Sequence, residues 1–428
     1  MNSYNIFLLL PIFKNLKFLQ NEIFNQENFI SRSAETRSLG EALNSKVFYE
    51  KIINISIPKS SLFFSSTVIN EIISNFNLDL IDLIIVDCSL SPVQHRNLEK
   101  SFNKKIIDRT QLIIEIFGLR AKTKEGKLQV ELANLSFQKT RLVRSWTHLE
   151  RQRGGLSKVG GPGESQLELD KRIIDTKIKQ IKNQLITVKK TRELQRRRRK
   201  INSKLIFSLV GYTNSGKSSI FNNLTKSEVL VKDMVFATLD TTIRQLSIDS
   251  NHSILLSDTV GFIRKLPHNL VASFKSTLKE VVESDLILMV LDVSSDYMKD
   301  HIEVIKEVLD SLGAKNIPLI YVLNKVDLIT ENDKLNVIAR DFDDSVIISA
   351  KRHLMLSKLK EAIIEKMEKD YQTLNIKLSY SEGRAISQIK NTLEVLEEEY
   401  DEDLIRMKIR GSRIALEKAS VFDCLNNG

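Results

Sequence analysis

One segment limits the fold of this chain more than any other, because it fixes a strand, a loop and a helix in order. Residues 205–210 (LIFSLV) are apolar enough for a buried strand, and residues 211–218 (GYTNSGKS) follow directly, ahead of a helical stretch that reaches Asn223. A GxxxxGKS spacing in this context is typical of a P-loop, whose backbone N–H groups surround phosphate oxygens. The segment therefore predicts an α/β domain with a parallel sheet that binds a nucleotide.

The P-loop side chains have separate expected tasks. Lys217 is expected to neutralise the β- and γ-phosphates, which makes it a candidate catalytic residue. The hydroxyl of Ser218 is expected to ligate Mg²⁺. The predicted phosphate-binding residues are Gly211, Tyr212, Thr213, Asn214, Ser215, Gly216, Lys217 and Ser218.

A second motif follows the next apolar strand. Residues 254–257 (ILLS) lead into a DxxG sequence at 258–261. At the end of a strand, Asp258 is expected to hold Mg²⁺ through a water molecule, and the amide of Gly261 is expected to contact the γ-phosphate. This motif adds four predicted nucleotide-binding residues, Asp258, Thr259, Val260 and Gly261.

The base is predicted from two later motifs. A strand at 318–323 ends in an NKxD sequence, in which Asp327 is expected to accept two hydrogen bonds from the guanine N1–H and 2-amino groups. A backbone amide of the SAK sequence at 349–351 is expected to reach the guanine O6. Since all four motifs stand in order at strand ends, we predict GTP and GDP as ligands. The predicted base-binding residues are Asn324, Lys325, Val326, Asp327, Ser349, Ala350 and Lys351.

The segment between the P-loop and DxxG reads FATLDTT at 236–242. A switch loop needs one threonine that completes Mg²⁺ coordination only when the γ-phosphate is present. Spacing alone leaves Thr238, Thr241 and Thr242 open. The residues of this segment predicted to contact the nucleotide are Phe236, Ala237, Thr238, Leu239 and Asp240.

The residue after DxxG bears on the rate. Phe262 stands where Ras-like enzymes carry a glutamine that orients water, so unaided hydrolysis is predicted to be slow. Asn214 occupies the loop position that some glutamine-lacking GTPases use to help hold K⁺, a cation able to stabilise developing charge. The alternative is that Asn214 is present only because it suits a turn.

The charge of the chain is concentrated in one segment. Residues 139–204 carry 20 Lys and Arg against 6 Asp and Glu, an excess larger than the formal net charge of +10 for the whole chain. Such a block on an otherwise slightly acidic protein is expected of a nucleic-acid contact. Binding to a membrane surface is the less favoured alternative.

The basic segment also carries two apolar stripes with helical spacing, which predict an antiparallel helical hairpin. Its connection at 154–163 (GGLSKVGGPG) contains five glycines and one proline, so neither helix continues through it. The favoured interpretation is a probe whose tip enters RNA, and the alternative is a flexible linker. The predicted RNA contacts are Gly154, Gly155, Lys158, Gly160, Gly161, Gly163, Lys171 and Arg172.

The remaining sequence completes a multidomain α/β protein. We predict an α/β domain at 1–125, the hairpin at 126–203, a Ras-like GTPase domain at 204–371 and a small α+β domain at 372–428. In the last domain, residues 383–399 are predicted to be helical. The acidic run EEEYDED at 397–403 is interpreted as a solvated helix end, and a metal site is the less favoured alternative. Two distant cysteines indicate neither disulfides nor zinc.

The expected location is the cytoplasm. The apolar run Ile6 to Phe13 is broken by Pro11 and is too short to cross a bilayer, so no stable membrane association is expected.

Taken together, the motifs resemble one known family. RLVRSWTHLERQRGG (141–155), GGPGESQLELD (160–170), GYTNSGKSS, FATLD, DTVGFI and NKVD are similar to HflX, a family of ribosome-associated GTPases, over most of the chain from about Leu90 onwards. The resemblance implies a cytoplasmic GTPase that binds the large ribosomal subunit and its rRNA and is stimulated by that subunit. Such a GTPase helps to split or rescue stalled ribosomes. We expect the free protein to be a monomer.

The resemblance also assigns residues. It makes Thr238 the switch ligand of Mg²⁺. The candidate catalytic residues are therefore Lys217, Thr238 and Gly261. The sequence departs from the usual DPTTR of the family, because residues 240–244 read DTTIR without the proline. Two other interpretations stay open: an ATP- or GTP-driven RNA remodelling factor, and a signalling GTPase at a membrane.

Overall fold

The computed structural model describes most of the chain. Two compact bodies are present: the N-terminal body comprises residues 1–187, 233–239 and 265–274, and the C-terminal body comprises 188–232, 240–264 and 275–428. The described residues are 4–13, 26–152, 166–201, 205–225, 235, 236, 238, 241–248, 253–263, 280–329, 341–368, 371–401, 404–412, 416 and 419.

The N-terminal body contains a parallel sheet with helices between its strands. The strand order is β2-β1-β3-β4, and every pairing is parallel. The apolar run at the start of the sequence is strand β1, in which Ile6 to Leu10 are almost completely buried. The elements are β1 (Asn5–Phe13), α1 (Gln26–Glu41), β2 (Lys46–Ile55), α2 (Ser66–Asn75), β3 (Leu83–Val86), α3 (Pro92–Phe102), β4 (Lys105–Asp108) and α4 (Arg109–Arg120).

Local sequence sets where these helices begin. Ser91 caps α3, its hydroxyl accepting the Gln94 N–H while the Gln94 side chain accepts the Ser91 N–H, and proline follows at the first helical position. Asp108 caps α4 in the same manner through the N–H of Gln111. From the sequence, the apolar run at 84–87 is predicted to be a strand and residues 91–103 a helix. The strand lies at Leu83–Val86, and the helix, Pro92–Phe102, is confirmed within a residue at each end.

Two long helices follow, α5 (Lys124–Gln152) and α6 (Gln166–Ile201). The second apolar stripe of the predicted hairpin includes Ile174, Ile178, Ile181 and Leu185, which all lie on α6. Ile181 is buried and the other three are half-buried, whereas most of their neighbours are exposed. Lys139 of α5 forms an ion pair with Asp175 of α6, as expected of antiparallel neighbours. The predicted glycine-rich tip lies outside the described residues.

The C-terminal body contains the sheet that carries the P-loop. Its order is β10-β9-β8-β5-β7-β6, in which only β6 runs antiparallel to its neighbour. Since β5 lies between β8 and β7, the loop after β5 opens where the strand order reverses, the usual ligand site of such sheets. The elements are β5 (Ile206–Gly211), α7 (Lys217–Thr225), β6 (Thr242–Ser247), β7 (Ser253–Asp258), β8 (Leu286–Asp292), α8 (Met298–Leu312), β9 (Leu319–Asn324), β10 (Ser345–Ile347) and α9 (Leu356–Glu368).

The last elements are an antiparallel sheet of order β11-β13-β12 with one helix: β11 (Tyr371–Ser379), α10 (Gly383–Thr392), β12 (Glu394–Tyr400) and β13 (Leu404–Ser412). The helix predicted at 383–399 is therefore wrong beyond Thr392. The interpretation of the acidic run at 397–403 as a helix end is also wrong, because residues 397–400 belong to β12. Glutamates of β12 lie opposite basic residues of β13, and the pair Glu397 and Lys408 is 2.8 Å apart. This cross-strand pairing outweighs the helix propensity of glutamate.

The described part of the chain holds no helix that is both long and apolar enough to cross a bilayer. The predicted mixed α/β, multidomain fold class is confirmed.

Candidate functional site

The P-loop connects β5 to α7, and two of its glycines are required by close contacts. A Cβ on Gly211 would lie 2.4 Å from the carbonyl oxygen of Val290 in β8. At Gly216, where φ is +97°, a Cβ would lie 2.1 Å from the side-chain nitrogen of Asn324. Any side chain at either position would force the loop away from the strand ends.

Lys217 begins α7 and is buried. Its Nζ donates to the carbonyl oxygens of Gly211 at 3.2 Å and Tyr212 at 2.8 Å. Burial lowers the pKa of Lys217 to about 8, although the nearby Asp258 carboxylate raises it. A buried ammonium among carbonyl oxygens gains from an added anion, as a phosphate-binding lysine should.

Ser218 and Asp258 come together at the ends of α7 and β7. The Ser218 hydroxyl donates to Oδ2 of Asp258 at 2.7 Å, and Asp258 is fully buried. A hydroxyl and a carboxylate side by side form the oxygen donor set that Mg²⁺ prefers. The two residues predicted to hold Mg²⁺ from this body therefore fit that ion.

The DxxG segment is paired to the P-loop through the backbone. The N–H of Thr213 donates to the Phe262 carbonyl at 2.8 Å, and the N–H of Phe262 donates to the Gly211 carbonyl at 3.0 Å. Gly261 precedes Phe262 in this pairing, and a Cβ on Gly261 would lie 2.9 Å from Cα of Thr213 and 3.0 Å from Nζ of Lys217. Gly261 thus lies directly against the lysine expected to bind the γ-phosphate.

Several predicted residues of these loops support the site through packing. The Thr259 hydroxyl donates to the Leu209 carbonyl at 2.6 Å, and Val260 is buried. The Tyr212 ring stacks on His301 of α8 with centroids 3.9 Å apart. Ser215 is buried, whereas Asn214 is exposed in a left-handed conformation with φ of 60°.

The NKxD and SAK motifs meet beside the P-loop. The Asn324 side chain donates to the Ser215 carbonyl at 2.8 Å and accepts from the Ala350 N–H at 2.9 Å. The Ser349 hydroxyl donates to Oδ1 of Asp327 at 2.5 Å, which fixes that carboxylate. The structure therefore brings the NKxD and SAK motifs together with the P-loop.

The other members of these motifs take different positions. Val326 opens a short 3₁₀ helix at 326–328, and Lys351 is exposed. Asn223 of α7, which the sequence did not single out, donates to the Ala350 carbonyl at 2.7 Å. Nothing near Asn223 in the sequence indicates this contact, because its partner lies far along the chain.

The switch segment belongs in part to the N-terminal body. Phe236 is buried with a positive φ of 55°, and its ring packs edge-on against Phe117 of α4 with centroids 4.6 Å apart. Thr238 is buried in the same body, while Ala237, Leu239 and Asp240 lie outside the described residues. Of the alternative threonines, Thr242 pairs with Asp258 in the β6–β7 ladder.

The predicted RNA contacts are described only on α6. Lys171 and Arg172 are exposed near its start, and Lys177 and Lys179 further along the helix are also exposed. The remaining candidates, Gly154, Gly155, Lys158, Gly160, Gly161 and Gly163, lie outside the described residues.

Comparison with known proteins covers almost the whole chain. Three family models match in order: "GTP-binding GTPase N-terminal" at 31–118, "GTP-binding GTPase Middle Region" at 120–199 and "50S ribosome-binding GTPase" at 206–325. A GTP-binding protein from Sulfolobus solfataricus, solved with GDP, is 24% identical, with 84% of this chain and 97% of that one covered at a TM-score of 0.44.

Two relatives of higher sequence identity carry the same name. GTPase HflX of Magnetococcus marinus is 42% identical over 364 residues, which are 84% of this chain and 83% of that protein. GTPase HflX of Alkalihalophilus pseudofirmus is 38% identical over 402 residues, 93% of each chain. At this identity over this length, the chain belongs to the HflX family of GTPases.

Proposed function

We propose that this GTPase binds GTP through the residues described above and hydrolyses it at the carboxyl end of strand β5. The observation that supports this most is the single hydrogen-bonded network from Ser215 through Asn324 to Ala350, which joins the phosphate-binding and base-binding motifs. In hydrolysis, water attacks the γ-phosphorus, the bond to the β–γ bridging oxygen breaks, and GDP and phosphate leave.

Each residue has a role in this proposal. Lys217 neutralises the β- and γ-phosphates, and the Gly261 amide donates to a γ-phosphate oxygen. Ser218 and, in the GTP state, Thr238 ligate Mg²⁺, while Asp258 holds it through water. The ion supplies charge neutralisation at the phosphates. Since Phe262 has no group to orient water, the rate depends on a stimulating partner.

The partner that we propose is the large ribosomal subunit, with rRNA as the surface that binds the basic hairpin. Two observations support it: the excess of basic residues at 139–204, and the match of 206–325 to a model described as a 50S ribosome-binding GTPase. GTP binding and hydrolysis would then be coupled to splitting or rescue of ribosomes, or to their biogenesis, in the cytoplasm. An ATP-driven RNA remodeller is disfavoured, because Asp327 would select guanine.

Sedimentation with purified ribosomal subunits tests the partner. In the presence of a nonhydrolysable GTP analogue, the protein should pellet with the large subunit, and GDP should release it. A protein that stays in the supernatant with both nucleotides would contradict the proposal. Pelleting with the small subunit alone would contradict the choice of subunit.

The charge of α6 should set the salt dependence of this binding. Replacing Lys171, Arg172, Lys177 and Lys179 by glutamine should weaken ribosome binding and lower the salt slope by up to about four, roughly one for each phosphate that is no longer neutralised. GDP affinity of the free protein should not change. Four exposed lysines elsewhere provide a control of equal charge: Lys299, Lys315, Lys358 and Lys377. An equal loss in both variants would indicate a general charge effect.

Potassium dependence tests the proposed role of Asn214. With ribosomes present, turnover in K⁺ buffer should exceed that in Na⁺ buffer by at least about tenfold, since a fixed cation would stabilise charge on the leaving group. Replacing Asn214 by alanine should remove the difference. Equal rates in the two buffers would mean that the residue only forms the turn.

A further inference from the structure

A carboxylate that no motif includes lies beside the base-binding residues. Asp292 is the last residue of β8, and its Oδ2 is 2.7 Å from Nζ of Lys325, the lysine of NKxD. The two side chains are 20% and 24% exposed, so the pair is shielded from much of the solvent. It therefore differs from a surface ion pair between two mobile side chains.

The carboxylate of Asp292 is held in place on its other side. Its Oδ1 accepts from the N–H of Ser294 at 3.0 Å and from the Ser294 hydroxyl at 2.5 Å. The next residue, Val293, donates its N–H to the Asn324 carbonyl at 3.0 Å, so the ends of β8 and β9 are joined. Asp292 is thus a fixed acceptor at a fixed distance from the lysine.

Lys325 is also restricted by its backbone. It has a left-handed conformation with φ of 68°, which non-glycine residues rarely adopt. Its neighbours Asn324 and Asp327 are fixed through Ser215 and Ser349. With the backbone set and the ammonium held by Asp292, the four methylenes between them have little freedom, and such a stem can pack against the flat face of a base.

We propose that Asp292 is a positioning residue for nucleotide binding, which holds the Lys325 ammonium at the end of β8 so that the lysine stem lies against the guanosine. This rests on the proposed nucleotide site. Without Asp292, the lysine loses its anchor and must be ordered again each time a nucleotide binds. The cost falls on binding, because Asp292 makes no contact with the reacting phosphate in this proposal.

The test is a double-mutant cycle on the full-length protein, with fluorescent GDP as the probe. Asp292→Asn should weaken GDP binding about tenfold, the order set by the rotamer entropy of one lysine side chain. In GTP hydrolysis, KM should rise by a similar factor while kcat stays within about twofold. Lys325→Met should weaken binding at least as much, and adding Asp292→Asn to it should have little further effect.

Asp296→Asn is the matched control, since Asp296 is exposed and lies on the same loop, and the change removes the same charge. It should bind GDP like the wild type, and thermal unfolding should show all variants folded. Wild-type affinity in Asp292→Asn would overturn the proposal, as would an equal loss from Asp292→Asn with and without Lys325. A wild-type protein that fails to bind GDP would instead overturn the nucleotide site itself.

Discussion

Replacing Asp327 by asparagine should move the nucleotide preference of this protein from GTP to xanthosine triphosphate. The Ser349 hydroxyl donates to Oδ1 of Asp327 and so fixes the carboxylate, whose two oxygens are the proposed acceptors of the guanine N1–H and 2-amino groups. Asparagine keeps an acceptor for Ser349 and offers an N–H₂ group in place of the second oxygen. That group repels the guanine 2-amino group and donates to the carbonyl that xanthine carries there.

The expected effect is large, because a site built around a paired polar contact rejects a base that leaves it unpaired. The ratio of GTP to xanthosine triphosphate affinities should change by ~10⁴. Competition of each nucleotide against fluorescent GDP or its xanthosine counterpart measures the ratio directly. Asp343→Asn is a suitable control, because Asp343 is an exposed acid between β9 and β10. An unchanged preference for GTP would remove Asp327 from the base site.

The P-loop and the first residues of helices α3 and α4 were predictable because local sequence determines them. Gly211 and Gly216 stand where only glycine fits, and Ser91 and Asp108 cap helices within three residues of themselves. The prediction of secondary structure failed where a partner distant in sequence determines it. Residues 394–399 resemble a helix in isolation, yet they pair with β13, in which basic residues lie opposite three of the four glutamates.

The same limit applies to the site. The order of the motifs predicted that Asn324 and Asp327 would lie near the P-loop, since parallel strands end at one edge. Asp292 gave no signal, because its partner Lys325 follows the next strand and aspartate at a strand end is common. Likewise, Phe236 gave no indication that it would pack on Phe117 in the N-terminal body. Thr238 was preferred over its neighbours only through family resemblance.

Replacing Gly261 by alanine should nearly abolish GTP hydrolysis while GDP binding is retained. The new methyl group would lie 2.9 Å from Cα of Thr213, which is backbone and has no side-chain freedom to move away. It would also lie 3.0 Å from Nζ of Lys217. The DxxG segment must therefore separate from the P-loop, which withdraws the Gly261 amide from the position proposed for the γ-phosphate.

The loss of one such donor is expected to lower kcat by about 10² to 10³. GDP lacks the γ-phosphate, so its affinity should change by no more than a few-fold. Single-turnover hydrolysis with ribosomal subunits present, together with GDP binding, separates the two effects. Gly383→Ala is a matched control, because nothing lies within 4 Å of its Cβ position and it begins helix α10. If Gly261→Ala hydrolyses GTP at the wild-type rate, the amide of Gly261 does not act on the γ-phosphate. If both variants lose GDP binding, the defect is in folding rather than in the site.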